Sequence, residues 1–98
     1  MRDSKYDFRF SSLYEQLIRS STSIGANLIE SRAGQSRKDW LKFTNIALKS
    51  ANETKFWICM IRDTMDVNKD LLNELLKEVD EISKIIASII INSSRGQK

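Results

Sequence analysis

The side chains with the most chemical capacity in this chain are cations. Lys38, Lys42 and Lys49, with Asn45 among them, fall within roughly 60° of one another at about 100° per helical residue. Arg32 and Arg37 stand beside the start of that row. Positive charges spaced along one edge of a helix can follow a phosphate backbone without reading bases. These five residues are therefore the candidate contacts to RNA or DNA. The competing reading is a solvated face on which lysine only maintains solubility.

Other chemistry is poorly supplied. The chain has no histidine, so the commonest general base and the commonest metal ligand are both missing. The single cysteine, Cys59, can form neither an internal disulfide nor a zinc site. It lies in the apolar run 56–61, where a buried, inert thiol in a reducing cytoplasm is the expectation. Glu74 and Glu78 are spaced to share a helix face and could hold a hard cation. With Lys77 and Lys84 nearby they read instead as a solvated face. Gly25 and Gly34 do not belong to a phosphate loop, which needs Gly-x(4)-Gly-Lys-Ser/Thr after a strand. No catalytic residue, metal or cofactor is expected, and the chain reads as a non-enzyme.

The elements that position the lysine row follow from composition and pattern. Apolar residues make up 41% and charged residues 30%, a balance that excludes a disordered or membrane-embedded chain. There is no proline and there are only three glycines, too few turn residues for a β-rich domain of this length. Ninety-eight residues make one domain with a thin stability margin. The net charge of +3 is unevenly placed: residues 1–62 hold 11 Lys and Arg against 6 Asp and Glu, whereas residues 63–98 hold 5 against 7. The apolar windows 56–61 and 85–91 are far too short to span a bilayer, and the start has no apolar secretory core. No membrane association is expected.

The pattern predicts an all-α, up-down antiparallel helical bundle with three long helices. Residues 1–11 form a lead-in in which Tyr6, Phe8 and Phe10 alternate with charges. A first helix covers 12–32, with Leu13, Leu17, Ile24 and Leu28 on one stripe. Gly25 lies beside that stripe and predicts close approach of a neighbouring helix. Gly34 suits a left-handed C-cap, and Ser36 an N-cap with Asp39 three residues on. A second helix covers 36–65, with Trp40, Phe43, Ala47, Ser50, Ala51, Thr54, Trp57 and Ile61 sharing a core face. Asn68 or Asp70 caps a third helix over 69–92, whose stripe runs from Leu71 and Leu72 through Val79 and Ile82 to Ile89 and Ile90. The tail 93–98 is polar and expected to fray.

The second helix is apolar on more than one side. Phe56 and Met60 continue the lysine row, and Leu41 and Leu48 line its flank. These four are the candidate contacts to a further subunit or a protein partner.

Three segments also resemble a known family. They are residues 16–27 (QLIRSSTSIGAN), residues 30–39 (ESRAGQSRKD) followed by Trp40, and residues 46–57 (IALKSANETKFW). Together they are similar to the signature of the four-helix-bundle proteins encoded in intervening sequences of bacterial 23S rRNA genes, over roughly residues 11–92. The resemblance implies a four-helix bundle that assembles as a homo-oligomer, typically a pentamer. It also implies kinship with the accessory protein of diversity-generating retroelements, a basic pentamer that associates with a reverse transcriptase and nucleic acid. Family members carry a long amphipathic helix before the first segment, and residues 1–10 do not read as that helix. The chain is therefore expected to lack most of it. Two functions compete: an oligomeric nucleic-acid-associated scaffold, and a module that docks a partner such as a reverse-transcriptase-like enzyme through its apolar flank. In the signature itself, Ser23, Gly25 and Ala26 read as packing residues, and Asn27 and Glu53 as inter-helix hydrogen-bond partners.

Overall fold

The computed structural model of the chain describes residues 8–34 and 36–95. Three helices follow one another, α1 (Phe8–Ala33), α2 (Arg37–Thr64) and α3 (Lys69–Arg95), and no strand occurs among the described residues. They form an antiparallel helical bundle, because links of a few residues leave each helix no option but to fold back along its predecessor. α1 starts at Phe8 rather than at Ser12, so Phe8 to Ser11 continue the helix instead of belonging to a lead-in. The rest of the expected lead-in lies outside the described residues. α3 runs on to Arg95, so the start of the polar tail is helical too.

The helix ends follow local rules. Ser36, in an extended conformation, accepts from the Asp39 backbone N–H at 3.1 Å and caps α2. At the other end of α2, the Lys69 ammonium donates to the carbonyls of Arg62 and Met65, neutralising the negative end of the helix dipole. Of the two candidate caps for α3, Asn68 serves: its Oδ1 accepts from the Leu71 N–H at 3.1 Å.

Gly34 does not take the left-handed conformation expected of it, since no described residue has a positive φ. Its role is steric instead. A Cβ at Gly34 would meet the Asp39 Cβ at 3.0 Å, so the missing side chain lets α2 start immediately beside the end of α1. Gly25 departs from expectation in the opposite sense. A Cβ there would touch nothing within 4 Å, and no described helix lies against it.

α2 is the middle helix. α1 and α3 each pack on it and make no backbone approach to each other. The molecule is consequently thin and long, with Cα extents of 60 × 23 × 13 Å. Its radius of gyration of 16.1 Å exceeds the roughly 13 Å of a compact chain this size.

The inner face of α2 is built from Thr44, Ala47, Ser50, Ala51, Thr54, Ile58 and Ile61, all buried. Thr44 and Ile58 therefore replace the half-buried Trp40, Phe43 and Trp57 at the centre of the expected face. Small residues here admit α1 closely. Their hydroxyls are paired across the seam: Ser23 with Ser50 at 2.9 Å, and Thr54 donating to Ser20 at 2.9 Å. Asn27 does not reach Glu53 as expected. It donates to the Ser23 carbonyl and hydroxyl within α1, holding Ser23 in place for Ser50.

α3 sits on the other flank of α2. The Lys55 ammonium donates to Asp80 Oδ1 and to the buried Ser83 hydroxyl, each at 3.1 Å. One end of the bundle is sealed by Ile58, Ile61, Met65 and Leu72, with Phe10, Leu13, Leu17, Leu76 and Val79 packed against them. The long apolar stripe of α3 divides. Leu72 and Ile86 are buried against α2, whereas Leu71, Leu75, Ile82 and Ile89 remain exposed beside the opening between α3 and α1.

Candidate nucleic-acid interface

α2 turns its inner face to the core, so residues half a turn away must face solvent. Lys38, Lys42, Asn45, Lys49, Asn52 and Phe56 occupy that outer face, and all six are exposed. The three lysines make no hydrogen bond or ion pair. Lys42 lies 5.3 Å from the centroid of the Phe43 ring, its one recorded side-chain contact of this kind.

Several cations elsewhere are engaged, while Arg19, Arg32 and Lys77 on the other two helices are not. Lys55 and Lys84 both reach Asp80 at 3.1 Å, and Arg62 reaches Asp63 at 2.8 Å. The hydrogen bond from Lys55, and then that from Lys84, hold the Asp80 carboxyl below the usual carboxylate range. The hydrogen bond from Arg62 does the same for Asp63. The lysines of the outer face make no ion pair, although the Glu53 carboxylate stands four residues beyond Lys49 on the same helix.

The two arginines are placed apart from this row. Arg37 Nη2 donates to the Ser93 hydroxyl at 2.6 Å, and its guanidinium stands 5.4 Å over the Trp40 ring. It is tied to the end of α3, at the edge of the lysine face. Arg32 is exposed but borders a cleft with Leu28, Trp40, Thr44 and Ile89, on the side of the opening between α1 and α3. The structure thus brings together Lys38, Lys42 and Lys49 and separates Arg32 from them.

The four apolar candidates on α2 also differ among themselves. Leu41, Leu48 and Met60 are half-buried by their neighbours, while Phe56 is 54% exposed. Phe56 and Leu48 border a shallow depression with Asn45, Lys49, Asn52 and Glu53. Phe56 touches Trp57 edge to face, with centroids 4.8 Å apart and planes at 75°.

Beyond Trp57 lies a cleft of about 220 Å³ between α1 and α2, lined by Gln16, Arg19, Ser20, Ser23, Glu53 and Trp57. Sequence reasoning did not find this cleft. Phe56 continues the lysine row in the sequence, and Asn52 and Glu53 could have been read beside it at helical spacing. Gln16 and Arg19 reach it only through the packing of α1 on α2, which no local pattern encodes.

Among the described residues no group of His, Cys, Asp and Glu could hold a metal ion, and no helix is long and apolar enough to cross a membrane.

Comparison with known proteins agrees with the fold. The chain is similar to a crystallised protein of unknown function from the S23 ribosomal protein family of Bacteroides thetaiotaomicron VPI-5482, with 40% sequence identity and a TM-score of 0.76. The similarity covers 80% of this chain and 72% of that one. No curated protein matches it. Residues 4–88, most of the length, match the 23S rRNA-intervening sequence protein family. With a family match over most of its length and a solved relative at this identity and fold similarity, the chain belongs to the 23S rRNA-intervening sequence protein family.

Proposed function

We propose that this protein is a non-enzymatic, oligomeric helical scaffold that binds RNA or DNA through phosphate contacts from Lys38, Lys42 and Lys49, with Arg37 at the edge of the same surface. The observation that carries this reading is the clustering of unpaired cations on one face of α2. Three exposed lysines share that face and make no ion pair, whereas the other unpaired cations among the described residues, Arg19, Arg32 and Lys77, lie on other helices and Lys55, Arg62 and Lys84 are each paired. Unpaired charge aimed at solvent is available to phosphate, and releasing counterions from the nucleic acid drives the association. Arg32 belongs to the opposite surface and would contribute only through a second copy or a bent ligand.

The test is fluorescence anisotropy of a labelled oligonucleotide titrated with protein at several salt concentrations. Three phosphate contacts predict a log–log salt slope of about −2 to −3. Replacing all three lysines with glutamate should abolish binding while leaving the helical circular dichroism intact. Undiminished binding by that variant would dispose of the assigned face.

Assembly rests on a separate observation. Leu71, Leu75, Ile82 and Ile89 of the α3 stripe are exposed, as are Ile18 and Ile85, and Leu75 and Ile89 border clefts with Leu17 and Leu28 of α1. Exposed apolar side chains gathered on one stripe of a helix call for a covering surface. A second copy of the chain is the proposed cover, with five subunits as the number that family resemblance suggests. Light scattering reads the outcome directly. A discrete multiple of the 11.3 kDa chain mass, lost on Ile82→Asp, supports homo-oligomerisation, and a monodisperse monomer refutes it. A monomer that captures a polymerase-like protein, and loses it on Leu48→Asp, would instead support the partner-docking function.

A further inference from the structure

We propose that the nucleic acid held on this face is single-stranded, with one base stacked on Phe56 and the next inserted against Trp57. This inference rests on the phosphate-binding reading of the lysine row and goes beyond it by assigning the strand state and the base contacts.

The first observation is Phe56. A phenylalanine that is 54% exposed on the polar face of a helix forgoes most of its apolar burial. Its neighbours there are Asn45, Lys49, Asn52 and Glu53, with Leu48 alone apolar. Its ring stands at 75° to that of Trp57 rather than stacked on it, and half of its surface remains open to a ligand. A surface that touched phosphates alone would have no use for it. A surface that binds unpaired bases does, because every base has a π-face and aromatic stacking is tolerant of sequence.

The second observation is the cleft beside it. At about 220 Å³ it is smaller than the pockets that hold drug-sized ligands, which begin near 300 Å³. Trp57 forms one wall, and the remaining lining is polar. The side chains of Gln16, Arg19 and Glu53 make no hydrogen bond or ion pair within the chain. They therefore offer donors from Gln16 and Arg19 and acceptors from Gln16 and the Glu53 carboxylate. A carboxylate is a poor neighbour for phosphate but a good acceptor for the exocyclic amine of cytosine or adenine. That combination suits the hydrogen-bonding edge of a base turned out of a strand, an edge a duplex keeps paired.

The order along α2 is consistent with one polarity of track. From Lys38 to Phe56 the helix advances about 27 Å at roughly 1.5 Å per residue. The lysines come first, and the aromatic pair with its polar cleft comes last. A strand following the lysines by its backbone reaches Phe56 and Trp57 with its bases.

The experiment uses the full chain with a labelled single-stranded RNA of mixed sequence, and the same strand annealed to its complement. The single strand should bind more tightly than the duplex. Phe56→Ala should weaken single-strand binding roughly tenfold to a hundredfold, the loss of one stacked base, and leave duplex affinity and the salt slope nearly unchanged. Phe56→Trp should restore it, which a merely structural role for the ring would not require. Arg19→Ala with Glu53→Ala should also weaken the single strand selectively. Equal affinity for the two forms, with Phe56→Ala silent, overturns this inference and leaves the lysine reading standing. If neither form binds the wild-type protein, both readings fall.

Discussion

The two faces of α2 are drawn from the same run of sequence and solve opposite problems. The inner face, from Thr44 through Ala51 and Thr54 to Ile61, is closed. Its hydroxyls meet hydroxyls of α1, and no buried side-chain nitrogen or oxygen among the described residues lacks a partner. The outer face, from Lys38 to Phe56, is open, with cations unpaired and an aromatic ring in solvent. A surface whose polar groups are already satisfied contributes to stability and has no capacity left for a ligand. A surface whose charges and ring remain unsatisfied contributes little to stability and retains that capacity. The proposed binding face is thus the one on which the fold has left interactions unmade.

Substitutions on the two faces should therefore separate stability from binding. The largest loss is expected from Ile58→Ala, which empties a fully enclosed site and should cost about 2–5 kcal/mol in chemical denaturation. Thr54→Val should cost roughly 1–2 kcal/mol, since it removes the donor that Ser20 accepts and leaves a buried hydroxyl short of a partner. A smaller effect attaches to pH. Lys55 and Lys84 depress the Asp80 pKa, so folding favours the charged carboxylate, and that contribution is complete above the ordinary aspartate value near 3.9. It is lost as the pH falls through the depressed value. The melting temperature of the wild type should drop more steeply on acidification below about pH 4 than that of Asp80→Asn. The smallest change is expected from Phe56→Ala, which should alter unfolding free energy by no more than about 0.5 kcal/mol. A large loss there would show that the outer face is part of the core after all and would erase the contrast.

Much of this fold was legible because periodicity reports which positions are apolar, and the end signals report where a helix can stop. Ser36 and Asn68 cap as their types and positions predict. What periodicity cannot report is how many neighbours a helix has. The stripe of α3 is wide enough for two, and α2 covers only the Leu72 and Ile86 side of it. The same limit explains Gly25, whose missing side chain predicts a close neighbour that the described residues do not provide. The lysine face was readable because it lies within one helix. The Gln16–Trp57 cleft was not, because its walls come from two helices and meet only once α1 lies on α2.

All lateral packing passes through α2, so the molecule is made like a book, with α1 and α3 as covers on a single spine. The covers are pinned to it at the end where Leu17 and Val79 lean on Ile58 and Ile61. Toward Trp40 and Ile89 no direct clasp joins them. Away from that end Leu28 of one cover and Ile89 of the other stand on either side of a gap, while the lettering on the back of the spine is touched by neither.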